Sequence, residues 1–387
     1  MKTVRFGVIG CGLMGREFAS ASARWCHLKG MSARPEIVAV SNRSEAPRRW
    51  FTDHFPSVRQ STSDYRELLA NEDVEAVYIA VPHHLHREVY GATLGAGKHL
   101  FGEKPFGMDL AANESILEAA KARPDLLVRC CSQFPYYPSV QVIGQMIAKN
   151  AFGRILEVNA GFLHSSDLNP DKPANWKRIV EFNGAYGVMG DLGMHVCHVP
   201  FRAGWRPRNV RAILSNIIPD RPDGKGLGGR VETATWDNAT LLCEAETPDG
   251  GHFPLTLRTA RIAPGESNTW YLEILGTEAS VKFSTRNPNV LHVLEYGGGR
   301  QDWREVCVGY TPVFPAITGG IFEFGFTDAI QQMWAAFLTE LVGEKLPDEL
   351  LARAATPEEA HLSHLLFTAA LRSAEQSSTE TVSASHP

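Results

Sequence analysis

The chain has 387 residues, more than one domain usually holds, so we expect two domains. Hydrophobic residues make up 44% and charged residues 21%, a composition typical of a soluble globular protein and too apolar for a disordered one. The formal net charge of -5 argues against a nucleic-acid-binding protein, which usually presents a basic face. The sequence contains no apolar stretch close to the roughly 18 residues that a membrane helix requires.

Cysteine usage predicts the compartment. The seven cysteines are odd in number, scattered, and mostly in apolar runs. This pattern predicts reduced thiols of a cytoplasmic protein rather than a disulfide framework. The first ten residues lead straight into a strand-like segment, and we expect no signal peptide there.

The first third of the chain alternates continuous apolar strands with helices. We predict strands over 4–9, 37–40, 74–81 and ending at 99–101, and helices over 14–23, 65–69, 87–95 and 110–122. Apolar strands without polar alternation are typical of a parallel sheet covered on both faces. We therefore predict that 1–129 is an N-terminal Rossmann domain of the α/β class, with a doubly wound parallel sheet.

After about residue 130 the pattern changes to one helix followed by longer strands with polar alternation. We predict the helix over 139–149 and strands over 154–164, 210–218, 237–246, 253–260, 270–275, 280–283 and 290–295. Successive strands joined by Gly- and Pro-rich turns predict a C-terminal α+β domain over 130–354 with a large, mostly antiparallel, open-faced sheet. The glycine-rich stretch 222–229 is expected to be a loop or flap.

The C-terminal segment shows a clear helix start. Thr356 supplies an N-cap, followed by proline and two acidic residues in the first turn. We predict a helix over 355–376 that packs back on the Rossmann domain. The polar residues 377–387 are expected to form a flexible tail.

A glycine motif directly follows the first predicted strand and opens a helix. It consists of Gly10, Cys11, Gly12, Leu13, Met14 and Gly15. Gly10 permits a tight turn, Gly12 lets the backbone approach a pyrophosphate, and Gly15 allows close packing of helix on strand. In this context the motif predicts dinucleotide binding; the alternative is a glycine-rich turn without a ligand.

The end of the second predicted strand bears on cofactor choice. It reads Ser41, Asn42, Arg43, where an NAD-selective site normally has Asp or Glu to bind the ribose hydroxyls. Asn42 would not repel a 2′-phosphate, and Arg43 could pair with one. We therefore favour NADP. In the alternative, Arg43 is a solvated loop residue and the cofactor is NAD.

Two local sequences carry candidate chemistry. In AGKHLFGEKP, Lys104 follows the end of a strand, where ligands of an open parallel sheet bind, so we expect it beside the nicotinamide. In GDLGMH, Asp191 and His195 would share one face if the segment is helical. A histidine near an acid can accept a proton, and a lysine can hydrogen-bond the same hydroxyl.

Together with AVPHHLH at 80–86, these motifs resemble those of the Gfo/Idh/MocA oxidoreductases, which include glucose–fructose oxidoreductase and inositol dehydrogenase. Their order and spacing match over all but the C-terminal tail. The resemblance implies an NAD(P)-dependent enzyme that transfers a hydride between nicotinamide and a secondary hydroxyl or ketone of a sugar, inositol or related polyol. It also implies a homodimer or homotetramer formed through the open sheet of the second domain.

The resemblance assigns roles to individual residues. Lys104 matches the catalytic lysine, His195 the general base or acid, and Asp191 the carboxylate that tunes the histidine and binds a neighbouring hydroxyl. Further positions match the segments that line the cofactor in relatives: Pro82, His83, His86, Glu103 and Lys104. His83 departs from the asparagine usual in the family.

For each of the remaining substrate candidates, a purely structural role explains the residue as well as substrate binding does. Tyr136 lies just after the domain crossover, where relatives place residues that face the substrate. The loop 164–178 offers donors and an aromatic platform for a sugar, with His164, Trp176 and Lys177 as the candidates. We expect no metal, because His198 near His195 has no third ligand at a matching spacing.

Two other functions remain open. The same residues could serve a cofactor-recycling glycosidase or lyase, in which transient oxidation at C3 permits elimination of the aglycone before re-reduction. A non-catalytic nucleotide-sensing regulator is the second alternative. The presence of Lys104, Asp191 and His195 together argues against the regulator, since a sensor does not need all three.

Overall fold

The computed structural model describes residues 1–225, 228–347 and 350–383. It divides into two compact units, and the chain passes between them several times. The first comprises Met1–Gly107, Ala111–Tyr137 and Tyr310–Ala360. The second comprises Met108–Leu110, Pro138–Gly309 and the chain from His361 onward.

The first unit contains a parallel sheet flanked by helices. Its strands are β1 (Lys2–Ile9), β2 (Ala33–Ser41), β3 (Gln60–Thr62), β4 (Ala76–Ile79), β5 (His99–Gly102) and β6 (Val128–Cys130). Its helices in this region are α1 (Leu13–Ala23), α2 (Glu45–His54), α3 (Tyr65–Leu69), α4 (His86–Gly95) and α5 (Leu110–Lys121). The strand order β3-β2-β1-β4-β5-β6, with all neighbours parallel, confirms the predicted doubly wound Rossmann sheet.

The segment between α1 and β2 contains a 3-10 turn that is hydrogen-bonded to β2. Helix α1 ends at Ala23, a 3-10 turn covers Trp25–His27, and β2 begins as early as Ala33. The indole of Trp25 donates a hydrogen bond to Ala33 O at 2.8 Å. The nine-residue strand β2 accounts for part of the sequence between Gly15 and Asn42, which is longer than the roughly 20 residues usual between a glycine motif and the end of the second strand.

The first unit also contains a helix from late in the chain, α9 (Phe326–Leu341). The ring of Trp334 stacks on Phe18 at 3.7 Å between centroids and meets Phe6 edge-on at 5.3 Å. Phe337 stacks on Phe101 at 4.5 Å. This aromatic face covers the parallel sheet.

The second unit is built on a large sheet. Its helices are α6 (Pro138–Ala148), α7 (Val180–Asn183), α8 (Met194–Arg202) and most of α10 (Pro357–Gln376). Its strands are β7 (Ile155–Leu163), β8 (Arg206–Pro207), β9 (Asn209–Ser215), β10 (Asp220–Pro222), β11 (Arg230–Glu232), β12 (Asn238–Glu246), β13 (His252–Ala260), β14 (Thr269–Gly276), β15 (Ala279–Ser284), β16 (Val290–Glu295), β17 (Arg304–Cys307) and β18 (Glu380–Thr381). Strands β10 and β11 pair separately, across the predicted loop 222–229, of which 226–227 lie outside the described residues.

The large sheet runs in the order β17-β16-β15-β14-β7-β13-β12-β9-β18, with β8 paired to β12. Among the described pairs, β7 and β13 are parallel and the others are antiparallel, which confirms the predicted mostly antiparallel sheet. Burial alternates along β12, where Leu241 and Cys243 face the core and Leu242 is 49% exposed. One face of the sheet is therefore covered and the other is open.

The domain limits differ from the predicted ones at the C-terminal end. Residues 310–354, predicted to lie in the second domain, fall in the first unit because α9 buries its aromatic face there. Helix α10, predicted to pack on the Rossmann domain, lies in the second unit from His361 onward. There the Phe367 ring closely approaches Gly193, at which a Cβ would meet it at 2.5 Å.

The predicted flexible tail also differs in its first part. Strand β18 pairs antiparallel with Asn209 and Val210 of β9. Residues 384–387 of that prediction lie outside the described residues. The seven cysteines are free thiols, and no described helix is both long enough and apolar enough to cross a bilayer.

Candidate active site

The glycine turn at the end of β1 leaves no room for side chains at two of its three glycines. Gly10 has φ +98°, and a Cβ there would lie 2.2 Å from Ala80 O. A Cβ on Gly15 would lie 2.2 Å from Gly10 O. At Gly12, by contrast, a Cβ would meet nothing within 4 Å. The turn therefore fits a dinucleotide: its packing needs Gly10 and Gly15, and Gly12 leaves open space at the N-terminus of α1.

The other motif residues fix this turn to the neighbouring strands. Cys11 N donates to Asn42 Oδ1 at 3.3 Å, and its thiol lies 3.6 Å from Ser41 O. Burial raises the pKa of Cys11 to about 12, although Arg48 and Arg16 oppose the rise, so this thiol is a structural group. Leu13 is 76% exposed at the first position of α1. Met14 O accepts a hydrogen bond from the Tyr78 hydroxyl at 3.5 Å.

The end of β2 is shaped by an arginine that sequence analysis did not single out. Arg48 on α2 donates to Asn42 O and, at 3.4 Å, to Arg43 O. The amide of Asn42 donates to Ser44 O at 3.2 Å, so both ends of that side chain are engaged. Arg43 itself is exposed. The arrangement presents cationic side chains where an NAD-selective site has a carboxylate.

Lys104 follows β5 at the carboxyl edge of the parallel sheet, and the Lys104–Pro105 peptide is cis. The preceding Glu103 is buried; its Oε1 accepts a hydrogen bond from Tyr78 at 2.8 Å, and its O accepts one from Tyr90 at 2.7 Å. Glu103 is therefore held by the core of the first unit. Its contact with the nicotinamide ribose stays a prediction.

The segment after β4 is fixed by His86. Its Nε2 lies 3.1 Å from Val81 O, and its Nδ1 accepts a hydrogen bond from Gly107 N at 3.3 Å. The ring stacks on Tyr90 at 4.7 Å. His86 and His83 are buried, with ring centroids 5.5 Å apart, and Pro82 precedes them. His86 thus connects the predicted cofactor-lining segment to the turn after Lys104.

In the second unit, Asp191 lies on a π-helical turn, Met189–Gly193, and His195 lies in the first turn of α8. The predicted shared face of one α-helix is therefore replaced by a junction of two helix types. Such π turns are rare and occur often at functional sites. His195 packs edge-on against Phe162 at 5.6 Å, and its O accepts a hydrogen bond from the Trp270 indole at 2.9 Å.

The Asp191 carboxylate is almost fully buried and meets two cations. Lys177 Nζ donates to Asp191 Oδ1 at 3.0 Å and to Oδ2 at 3.3 Å. Arg261 forms an ion pair with Asp191 Oδ2. The Lys177 ammonium also lies 5.6 Å from the centre of the Trp176 ring. Two of the predicted substrate residues are thus brought together with Asp191.

A further layer of buried charge lies behind this group. Arg178 forms ion pairs with Asp167 and, at 3.3 Å, with Asp237. Burial alone would raise the pKa of Asp167, but the charges of Arg178, Lys172 and Arg261 lower it to about 2. Asp167 therefore stays ionised at neutral pH, and the layer remains charged.

The two other predicted substrate residues, His164 and Tyr136, lie in different units. His164 continues β7, with its ring 4.7 Å from Phe162, so Phe162 contacts both His164 and His195. Tyr136 is fully buried in the first unit, where its hydroxyl donates to Ala352 O at 3.1 Å. The substrate contact of Tyr136 stays a prediction. Among residues 1–225, 228–347 and 350–383, no cluster of histidine, cysteine and acidic groups is arranged to hold a metal ion.

Sequence reasoning missed Arg261 and Arg178. Neither residue belongs to a recognisable motif. Nothing in the sequence around Arg261 marks it as a partner of Asp191, and nothing around Arg178 marks it as a partner of Asp167 or Asp237. One weak signal was present, since Arg261 directly follows a predicted strand that ends at Ala260, and strand ends concentrate functional residues.

Two sequence profiles of one family match the chain. The profile described as an oxidoreductase family with an NAD-binding Rossmann fold (Gfo/Idh/MocA) matches residues 4–129. The profile of the Gfo/Idh/MocA C-terminal domain matches residues 140–282. The first match contains the glycine turn and Lys104, and the second contains Asp191 and His195.

Similar proteins include several sugar oxidoreductases. Levoglucosan dehydrogenase of Pseudarthrobacter phenanthrenivorans is 27% identical over 336 residues, covering 81% of this chain and 82% of that protein. D-xylose 1-dehydrogenase (NADP(+)) of Hypocrea jecorina is 24% identical, covering 77% of each chain. A solved structure of levoglucosan dehydrogenase in complex with NADH and L-sorbose has a TM-score of 0.85 at 24% identity, over 99% of this chain and 100% of that one. This last likeness shows a shared fold.

Gly12→Ala and Gly15→Ala should separate nucleotide binding from folding. Gly12→Ala should weaken NADH or NADPH binding at least about tenfold, because the methyl group would enter the open space at the helix N-terminus. Its cost in the free energy of unfolding should stay within about 1 kcal/mol. Gly15→Ala should lower the unfolding midpoint clearly, since its Cβ would meet a backbone oxygen.

The measurements are nucleotide fluorescence titration and thermal unfolding of both variants. The assignment of this turn to nucleotide binding would be contradicted if Gly12→Ala kept the wild-type affinity for both nucleotides.

Proposed function

We propose that this chain, which belongs to the Gfo/Idh/MocA oxidoreductase family, is an NAD(P)-dependent dehydrogenase acting on a secondary hydroxyl of a sugar or related polyol. The observation that carries the proposal is the glycine turn between β1 and α1, where Gly12 opens onto space that no side chain fills. When bound, the nicotinamide supplies the hydride acceptor for the oxidation.

The proton of the reacting hydroxyl requires groups of the protein. We assign its removal to His195, the general base, and a hydrogen bond to the same hydroxyl to Lys104. Asp191 lies between two cations, so its carboxylate can accept a hydrogen bond from a neighbouring hydroxyl or from the imidazole. In ketone reduction the same groups act in reverse, and His195 donates the proton.

We propose that Trp176, Lys177 and His164 of the second unit bind a polyhydroxylated ring. Trp176 supplies an apolar plane, while Lys177 and His164 supply polar groups at the end of β7 and in the loop that follows. Neutral sugars bind to such combinations of an aromatic face and a few placed polar groups. The names of the similar levoglucosan and xylose dehydrogenases support this substrate class.

Lys104→Ala and His195→Ala should each lower kcat by about 10²–10⁴-fold. Each variant removes a group that handles the hydroxyl proton, while the glycine turn stays intact, so the Kd of the nucleotide should change little. The assay follows nucleotide reduction with a panel of levoglucosan, D-xylose, L-sorbose and myo-inositol. Lys121→Ala and His252→Ala, which alter exposed residues, serve as matched controls and should keep wild-type turnover. Wild-type turnover in Lys104→Ala and His195→Ala would refute the assignment.

For the cofactor, we propose a preference for NADP over NAD. The support is the uncharged Asn42 with the exposed Arg43 beside it, and Arg48 close behind both. A guanidinium that pairs with a phosphate contributes a charge-assisted hydrogen bond worth about 1.5–3 kcal/mol.

NADPH should therefore bind more tightly than NADH, and Arg43→Ala should reduce that difference by at least about tenfold. Fluorescence titration of both nucleotides gives the two Kd values. Arg49→Ala is the matched control, because Arg49 is exposed on α2 and pairs with Asp53. Tighter binding of NADH by the wild-type protein, or an equal loss for both nucleotides in Arg43→Ala, would contradict the proposal.

We further propose that the protein works in the cytoplasm as a homodimer or homotetramer joined through the open face of the large sheet. The free thiols support the compartment. The open face carries the exposed Ile213 and Leu242 next to charged residues, as an interface between subunits would. A monomeric mass in light scattering at micromolar concentration would contradict this assembly.

A further inference from the structure

Arg261 occupies a position fixed by the backbone. It directly follows β13, whose parallel neighbour β7 ends at Leu163. Arg261 N donates to Asp237 O at 2.9 Å, and Arg261 O accepts a hydrogen bond from Asp167 N at 3.1 Å. Two loops of the second unit are therefore joined through the main chain of this one residue, and its side chain starts from a well-defined point.

The Arg261 guanidinium is buried together with the carboxylate it meets. Arg261 is 6% exposed and Asp191 is 1% exposed, and the two form an ion pair. Burial, with the nearby charge of Arg178, lowers the pKa of Arg261 to about 9, while Asp167 opposes the shift. The guanidinium therefore remains protonated at neutral pH. A carboxylate with so little access to water needs such a partner to stay ionised.

The two cations on Asp191 differ in their surroundings. Lys177 approaches from the solvent side, with 32% of its side chain exposed, and it also lies against the Trp176 ring. Arg261 approaches from the interior, with 8% of its side chain exposed. A bound substrate can compete for the exposed ammonium but not for the buried guanidinium. Arg261 is thus the interior partner of Asp191, and Lys177 is the partner that is open to solvent.

The layer behind Arg261 holds it in place. Arg261 lies 3.9 Å from Asp167 Oδ2, and Arg178 connects Asp167 with Asp237. Asp237 Oδ2 in turn accepts hydrogen bonds from the main chain of Ile217 and Ile218, both at 2.9 Å. The buried carboxylates of Asp167 and Asp237 are therefore both paired with Arg178, and Asp237 has two backbone donors as well.

We propose that Arg261 is a positioning residue for the oxidation: its buried guanidinium, next to Asp191, holds that carboxylate charged on the π-helical turn before His195. This role rests on the proposed function, in which Asp191 serves His195 and the substrate. Arg261 itself touches neither the substrate nor the reacting atoms. Its effect on the reaction should pass through Asp191 alone.

A double-mutant cycle tests this dependence. Arg261→Met, Asp191→Asn and the double variant are compared by kcat, with the sugar of the panel above that the wild-type protein oxidises fastest. Arg261→Met alone should lower kcat by about 10–100-fold, because a displaced catalytic group costs that much. In the Asp191→Asn background the same change should alter kcat by less than about threefold, since the group that Arg261 holds charged is then neutral.

Further readouts exclude a general loss of structure. The nucleotide Kd should stay within about twofold of wild type in every variant, because the glycine turn is untouched. Arg261→Lys should recover part of the activity, since it restores the charge without the planar fork. If Arg261→Met does not fold, Arg261→Lys and Arg261→Gln complete the cycle with Asp191→Asn. Arg154→Met, at an exposed arginine before β7, is the matched control and should keep wild-type kcat.

The outcomes separate this inference from the function on which it rests. If Arg261→Met lowers kcat by the same factor in both backgrounds, or leaves it unchanged while Asp191→Asn is impaired, the positioning role is overturned and the proposed function stands. If Lys104→Ala and His195→Ala turn over at the wild-type rate, the proposed function fails. If the wild-type protein oxidises no sugar of the panel, the inference is overturned with it.

Discussion

A carboxylate removed from water has to be compensated by the protein, and the second unit is organised around that requirement. Asp191 is almost fully buried, and it meets Arg261 on the interior side and Lys177 on the solvent side. Loss of one partner of a buried pair typically costs about 3–5 kcal/mol, because the other charge is left without a counterion. The loops after β7 and β13 therefore stabilise the unit by bringing acids and arginines together.

The same constraint links folding to chemistry. A carboxylate that stays ionised can orient an imidazole or accept a hydrogen bond from a sugar hydroxyl, and a neutral acid does either less well. The π-helical turn that carries Asp191 ends where α8 begins, one residue before His195. In the first unit the corresponding constraint is steric, since Gly10 and Gly15 approach backbone oxygens too closely for any side chain.

Features encoded in short stretches of sequence could be predicted. The glycine turn, the strand before it and the helix after it depend on neighbouring residues, and the structure has all three in the predicted order. The alternation along β12 and its neighbours similarly indicates a sheet with one open face. Lys104 could be placed at a strand end because parallel strands expose their carboxyl ends on one edge.

Features that depend on distant residues could not be predicted. Arg261 pairs with Asp191 across 70 positions of sequence, and nothing local to either residue announces the other. Helix α9 follows β17 of the second unit but packs Trp334 on Phe18 of the first, so chain order gave a misleading domain limit. The hydrogen bond from the Tyr136 hydroxyl to the main-chain oxygen of Ala352 likewise joins residues far apart in the sequence. Each of these contacts joins residues that are far apart in the sequence, so no local pattern could predict it.

The most direct test of the account is the stoichiometry of the wild-type reaction. The purified protein is incubated with excess NADP⁺ or NAD⁺ and each sugar of the panel, while absorbance reports reduced nucleotide and NMR reports the sugar. We expect one reduced nucleotide for each molecule of sugar oxidised to a ketone. Sugar or glycoside consumption without accumulation of reduced nucleotide would contradict it and indicate a cofactor-recycling lyase; nucleotide binding with no sugar consumed would contradict it in favour of a regulator.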